Sequence, residues 1–131
     1  MSLVEQYIAE IDADVKVDSF NIKEVQMKLP GIKHKWVGRY VRAKQELINL
    51  QKQRELLKQK GIAQAQKDSV VALSVIAAER MVENSQVIKD IDQKVHDLKI
   101  VIELLEKTEK IMSAMTYDIK NMIDLLKLEQ L

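Results

Sequence analysis

The sequence has no cysteine, one proline, three glycines and five aromatic residues in 131 positions. Without cysteine there are no disulfides, no thiolate metal site and no thiol nucleophile, which suits a reducing compartment. With so little glycine and proline, the turns of a multi-stranded sheet have few residues to build them. Long apolar runs are missing too. The longest stretch of low charge, Ser69 to Ala78, is about half a membrane span, so a soluble chain without membrane contact is expected. Glu5, Glu10, Asp12 and Asp14 stand where a secretory signal would carry a basic patch and an apolar run. What is abundant is Ala, Leu, Lys, Glu, Gln, Met and Ile, the composition of long helices. An all-α fold in one domain with a modest core is therefore expected over residues 1–131.

Catalytic groupings are also sparse. Gly31, Gly38 and Gly61 are isolated, and no phosphate-cradling G-x-x-x-x-G-K-[ST] string occurs. His34 and His96 lie in different segments without i, i+4 partners, so no metal centre is expected. The carboxylate pairs Asp90/Asp92 and Glu103/Glu106 read as solvated or inter-subunit charges, since no apolar pocket is on hand to raise a carboxyl pKa. The reading is a non-enzyme without cofactor.

A net charge of +1 hides strong segregation. Residues 1–27 carry −4, residues 28–67 carry +9 and residues 68–131 carry −4. This divides the chain into an acidic N-terminal part, a basic helix and a C-terminal part assigned to oligomerisation. A basic block inside a near-neutral chain has two explanations. It draws in a polyanion, or it docks on acidic segments of another subunit.

Helical periodicity fills most of the chain. Ser2 and Glu5 form a capping-box pattern for a first helix over about Leu3 to Asp12. An extended connector or very short strand over Asp14 to Asp18 follows, and Asp18 or Ser19 is placed to cap a second short helix from Phe20 to about Lys28. Leu29-Pro30-Gly31 predicts a break. A long helix from Ile32 to Lys60 is expected next, with the heptad seam Trp36, Tyr40, Ala43, Leu47, Leu50, Arg54 and Leu57 and a stop at Gly61. From Asp68 or Ser69, near-continuous helix is expected to about Leu128, weakest at Asn84-Ser85. Its seam is Ile88, Ile91, Val95, Leu98, Ile102 and Leu105, assigned to core or oligomer interface together with Trp36. The phase slips between Leu105 and Met112, a three-residue stammer read through Thr108. Apolar side chains beyond that seam, among them Ile100, Val101, Leu104, Ile111, Ile123 and Leu125, exceed what one small bundle covers. Self-association is the consequence.

The basic block is the one feature with a functional reading. Lys35, Arg39, Arg42 and Lys60 gather in one sector of the helix beside its apolar stripe, and Arg54 and Lys58 add to the run; such cations neutralise phosphates. Trp36 and Tyr40 have the chemistry to stack bases, but both occupy the packed seam, which favours core packing.

Several short strings resemble a known family. They are Asp14-Val15-Lys16-Val17-Asp18-Ser19, Lys35-Trp36, Lys44-Gln45-Glu46-Leu47, Val87-Ile88-Lys89-x-Ile91-Asp92 and Ile119-Lys120-x-Met122. Together they are similar to the UvsY recombination mediators of T-even-type phages, over most of the chain. Residues 61–84 depart most from that pattern. The resemblance implies a small helical protein in the cytoplasm of the infected bacterial host. It implies a ring-like homo-oligomer of roughly six or seven subunits that binds single-stranded DNA. It also implies two protein partners, a phage single-strand-binding protein and a RecA-like recombinase that the mediator helps onto coated DNA. The family's Lys-x-Arg at the end of the basic helix corresponds to Lys58-Gln59-Lys60, with lysine in place of arginine. Read from the residues alone, a coiled-coil structural or adaptor protein without a nucleic-acid role stays open beside this.

Overall fold

The structure, a computed structural model, describes residues 2–130. Four helices follow one another: α1 (Leu3–Asp14), α2 (Ile22–Asp68), α3 (Val75–Glu83) and α4 (Gln86–Glu129). No strand occurs among the described residues, as the all-α expectation required.

The ends of α1 follow from its sequence. The Ser2 hydroxyl accepts from the Glu5 amide at 3.2 Å, and the Glu5 carboxylate accepts from the Ser2 amide at 3.3 Å, the reciprocal capping box. Residues 16–18 form an irregular connector rather than a strand. Asp18 then accepts from the amides of Phe20 and Asn21 at 2.8 and 2.9 Å, which fixes the entry into α2.

Three boundaries differ from the expected ones. The helix of residues 20–28 and that of residues 32–60 are one element, because α2 runs through Pro30 without interruption. A proline inside a helix costs about 3 kcal/mol, but Ile22 and Leu29 are buried and anchor the first turns. Pro30 and Gln26, four residues before it, both lie on the exposed side, where the carbonyl that proline leaves unbonded is open to solvent. Gly61 does not end the helix either. It sits mid-helix with negative φ, and α2 continues to Asp68. A Cβ at Gly61 would meet Cγ1 and Cγ2 of Val82 at 3.0 Å, so the glycine marks close approach of α3. The third difference is at residues 69–74, which are irregular where helix was expected. Ser74 caps α3, its hydroxyl accepting from the Ala77 amide at 3.1 Å. The break foreseen at Asn84-Ser85 is present, so the chain after residue 74 makes two helices.

The chain divides into two compact units that share both long helices. The first holds α1, α2 up to Arg42, and α4 from Ile100 onward. Its buried residues are Ile11, Ile22, Leu29, Trp36, Val101, Leu105, Thr108, Met112, Met115 and Ile119. The second spans Ala43–Lys99 and has a core of Ile62, Ala78, Val82, Ile88 and Ile91, with Leu50, Leu57 and Ala65 packed against it.

Along α4 the buried seam corrects the expected phase. Val101, Leu105, Thr108, Met112, Met115 and Ile119 are buried and step by 4, 3, 4, 3 and 4, so Thr108 belongs to the heptad and no stammer lies there. The slip lies earlier, in the steps Val95, Leu98, Val101, and falls where one unit gives way to the other. Ile88, Ile91 and Leu105 are buried as expected, whereas Val95, Leu98 and Ile102 are half-buried. Ile102 yields its core position to Val101. Thr108 can be buried because its hydroxyl donates to the Leu104 carbonyl at 2.7 Å, leaving no unpaired polar atom.

Candidate nucleic-acid interface

The six cations singled out from the sequence divide by partner. In the first unit, Glu10 and Asp14 lie one turn apart on α1 and face α2. The Lys35 ammonium binds Asp14 at 2.6 Å and Glu10 at 3.2 Å. Arg39 forks onto both Glu10 oxygens, one bond being 3.4 Å. Its guanidinium lies over two rings, 4.8 Å from the Tyr7 centroid and 4.7 Å from that of Trp36. The Trp36 indole N–H donates to Asp14 at 2.7 Å, and Tyr7 meets the indole edge-on at 5.4 Å. Only 1 % of Trp36 is exposed. The core reading of Trp36 therefore holds in this arrangement, and its polar atom is satisfied by α1.

The second unit repeats the theme. Arg54 makes a bidentate contact with Asp92, 2.5 Å from Nε and 3.3 Å from Nη2, and reaches Glu83 at 2.7 Å. Lys58 adds a contact to Glu83 at 3.4 Å. Arg54 interrupts the apolar seam of α2 because α3 and α4 each present a carboxylate to it. Arg42 and Lys60 are exposed and form no ion pair among the described residues. Lys60 also lines an open apolar groove of about 540 Å³ between α2, α3 and the start of α4, together with Leu57, Gly61, Ala65, Met81, Val82 and Ile88 among others.

These pairings shift the titrations. The Arg39 guanidinium, helped by Lys35, holds the Glu10 carboxyl below its usual range, and Glu10 raises Arg39 in return. Arg54 likewise lowers Glu83 and Asp92 and is itself raised, first by Asp92 and then by Glu83. Sequence reasoning missed the four carboxylate partners. Two signals pointed to them: the i, i+4 spacing of Glu10 and Asp14 on α1, and a cation at a seam position, which needs an opposed carboxylate when buried. Lys35, Arg39, Arg54 and Lys58 thus meet acids of their own chain, and Asp92, expected as a solvated or inter-subunit charge, is one of those partners.

Among the described residues no group of His, Cys, Asp or Glu has a metal-binding arrangement, and no helix is long and apolar enough to cross a membrane. The fold and site define a helical protein built on one long, cation-rich helix whose charges are partly met by its own acidic helices. The family model described as "Recombination, repair and ssDNA binding protein UvsY" matches residues 10–130, and the chain belongs to this family. Two crystal structures of the bacteriophage T4 recombination mediator protein UvsY are similar in fold. In lattice type IV the TM-score is 0.80 at 15% identity, covering 98% of this chain and 99% of that one. In lattice type II it is 0.78 at 15% identity, covering 99% and 98%. No curated protein sequence matches the chain.

Proposed function

We infer that the protein is a recombination mediator. It binds single-stranded DNA as a homo-oligomer and helps a RecA-like recombinase load onto strands coated by a single-strand-binding protein, in the cytoplasm of an infected bacterium. The observation that carries this reading is the family match across residues 10–130, joined to a basic helix of the right composition. In this reading the chain works as one helical domain, with residues 28–67 facing DNA and residues 68–131 holding subunits together. Exposed apolar side chains such as Met27, Ile48, Leu56, Ile111 and Leu125 support self-association. A ring of roughly six or seven subunits repeats the basic segment, so weak contacts act together on one long strand.

Arg42 and Lys60 are proposed as the direct phosphate contacts, being exposed and outside the ion pairs. Lys35, Arg39, Arg54 and Lys58 contribute charge that the neighbouring carboxylates partly neutralise. Titration of single-stranded DNA with wild type and an Arg42→Ala/Lys60→Ala variant, at several salt concentrations, tests this assignment. The variant keeps its helicity and loses affinity, and the slope of log K against log salt flattens by about 1.4, or 0.7 per phosphate. Unchanged affinity and slope would remove these residues from the site. The second reading, a structural adaptor whose basic block pairs only with its own acids, is favoured by the four paired cations. It requires that wild type bind no DNA at low salt.

A further inference from the structure

The cluster beneath α1 holds what a single-strand site needs in one place: an indole, a guanidinium and an ammonium on adjacent turns of α2. Every one of these groups is met by α1. Glu10 and Asp14 occupy the positions that phosphates would take on Arg39 and Lys35, and Tyr7 makes a T-shaped contact with Trp36 where a base would otherwise approach. We propose that α1 is an internal competitor of DNA, covering a second single-strand site formed by Lys35, Trp36 and Arg39, and that a DNA strand displaces it. This rests on the single-strand-binding reading above and adds to it a site that the resting protomer keeps closed.

The attachment of α1 is of a kind that a polyanion can undo. Of its twelve residues only Ile11 is buried, while Leu3 and Ile8 are 46 % and 44 % exposed. Besides the half-buried Val4 and Tyr7, what holds it is a set of partly exposed ion pairs. Each contributes little, and all are screened by salt. The helix itself is poorly charged for independence. Asp12 and Asp14 sit at its C-terminal end with no basic residue in the last turn, where the helix dipole disfavours acids. Lys35 relieves Asp14 only while α1 is docked. The irregular connector at residues 16–18 gives the displaced helix a hinge. Elements of low local stability are the ones that open first. With α1 away, Arg39 and Lys35, which lie 4.7 and 5.1 Å over the Trp36 ring, lose their carboxylate partners and turn to phosphates, suiting a base against the ring with its backbone held alongside.

The experiment compares a Glu10→Gln/Asp14→Asn variant with an Asp12→Asn/Asp118→Asn control, in which two exposed acids are neutralised instead. Both change net charge equally, so a general electrostatic gain appears in both. Binding of an oligothymidylate is read by affinity, by its salt dependence and by fluorescence of Trp36, the chain's one tryptophan. Opening the site raises affinity of the first variant at least about fivefold over the control, a gain that persists across salt concentrations because both complexes make the same phosphate contacts, and binding quenches Trp36. Equal affinities in the two variants, or no quenching, overturn the proposal. Hydrogen exchange of the wild-type chain gives an independent readout that no substitution can disturb. Saturating DNA speeds exchange of the amides of residues 3–14, and unchanged or slower exchange there overturns displacement. If wild type binds DNA but these tests fail, only the gate is lost. If neither wild type nor any variant binds, the single-strand reading fails and the gate with it.

Discussion

At Gly61 two residue-scale effects oppose each other. Replacing a mid-helix glycine by alanine favours α2 by about 1 kcal/mol. The added methyl, however, enters a gap in which the Val82 methyls already stand 3.0 Å from its place. Val82 is buried and β-branched, with little rotamer freedom, and overpacking of this kind costs about 1–3 kcal/mol. The clash therefore wins, and Gly61→Ala destabilises the protein by about 1 kcal/mol in denaturant unfolding. In a Val82→Ala background the same change becomes neutral or stabilising, and a double-mutant cycle without coupling would show that the two helices do not meet there. Thr108 illustrates the opposite economy. A polar residue sits inside an apolar seam because its hydroxyl is spoken for by the preceding turn, and the register of the helix survives.

At the scale of elements, α4 is informative because its seam changes phase. Val101 and Ile102 are neighbours of similar size, yet Val101 is 6 % exposed and Ile102 is half-buried. An aspartate at Val101 places an unpaired charge inside the first unit and costs about 3 kcal/mol or more. An aspartate at Ile102 sits at the edge of the same helix and leaves the protomer folded. If Ile102 belongs to the subunit interface, Ile102→Asp keeps its helical circular dichroism and lowers the sedimentation coefficient, whereas Val101→Asp loses helicity. Equal loss of helicity in both variants would restore the seam through Ile102. In α2, similar reasoning explains Pro30: a local break signal is overridden where buried side chains hold the turns before it and the unbonded carbonyl faces water.

For the whole molecule, the ion pairs set an acid limit on stability. Glu10, Glu83 and Asp92 each titrate lower in the folded chain than at their ordinary values of 4.5, 4.5 and 3.8. The unfolded chain therefore binds more protons in the acid range, and their contribution is present above about pH 4.5 and lost as pH falls through the folded values. Thermal unfolding scanned from pH 7 to pH 3 shows a falling midpoint below about pH 4.5. The fall is shallower in an Arg54→Met variant, which lacks the partner of two of the three carboxylates. A wild-type midpoint flat down to pH 3 would mean that these pairs add nothing to the fold. High salt weakens the same contacts, so salt acts on the fold and on any bound polyanion in the same direction.

The helical class, the first helix with its capping box, the break at Asn84-Ser85 and the buried Trp36, Ile88, Ile91 and Leu105 are determined by the sequence itself, because each rests on local periodicity or on a cap within a few residues. The charge blocks are equally legible, being a count. Tertiary structure decided everything that depended on an opposed partner. Pro30 and Gly61 read locally as stops, but one is tolerated by its exposed face and the other is required by Val82. Residues 69–74 carry apolar side chains enough for a helix, yet α3 starts only where Ser74 caps it. The α4 seam passes through Val101 and Thr108, because burial is settled by what lies across the interface and a hydroxyl can be satisfied within its own turn. The pairing of Lys35, Arg39, Arg54 and Lys58 with carboxylates distant in sequence follows from the fold alone. A charge pattern in one dimension states how many cations a helix carries, and only the folded chain determines which of them are still free.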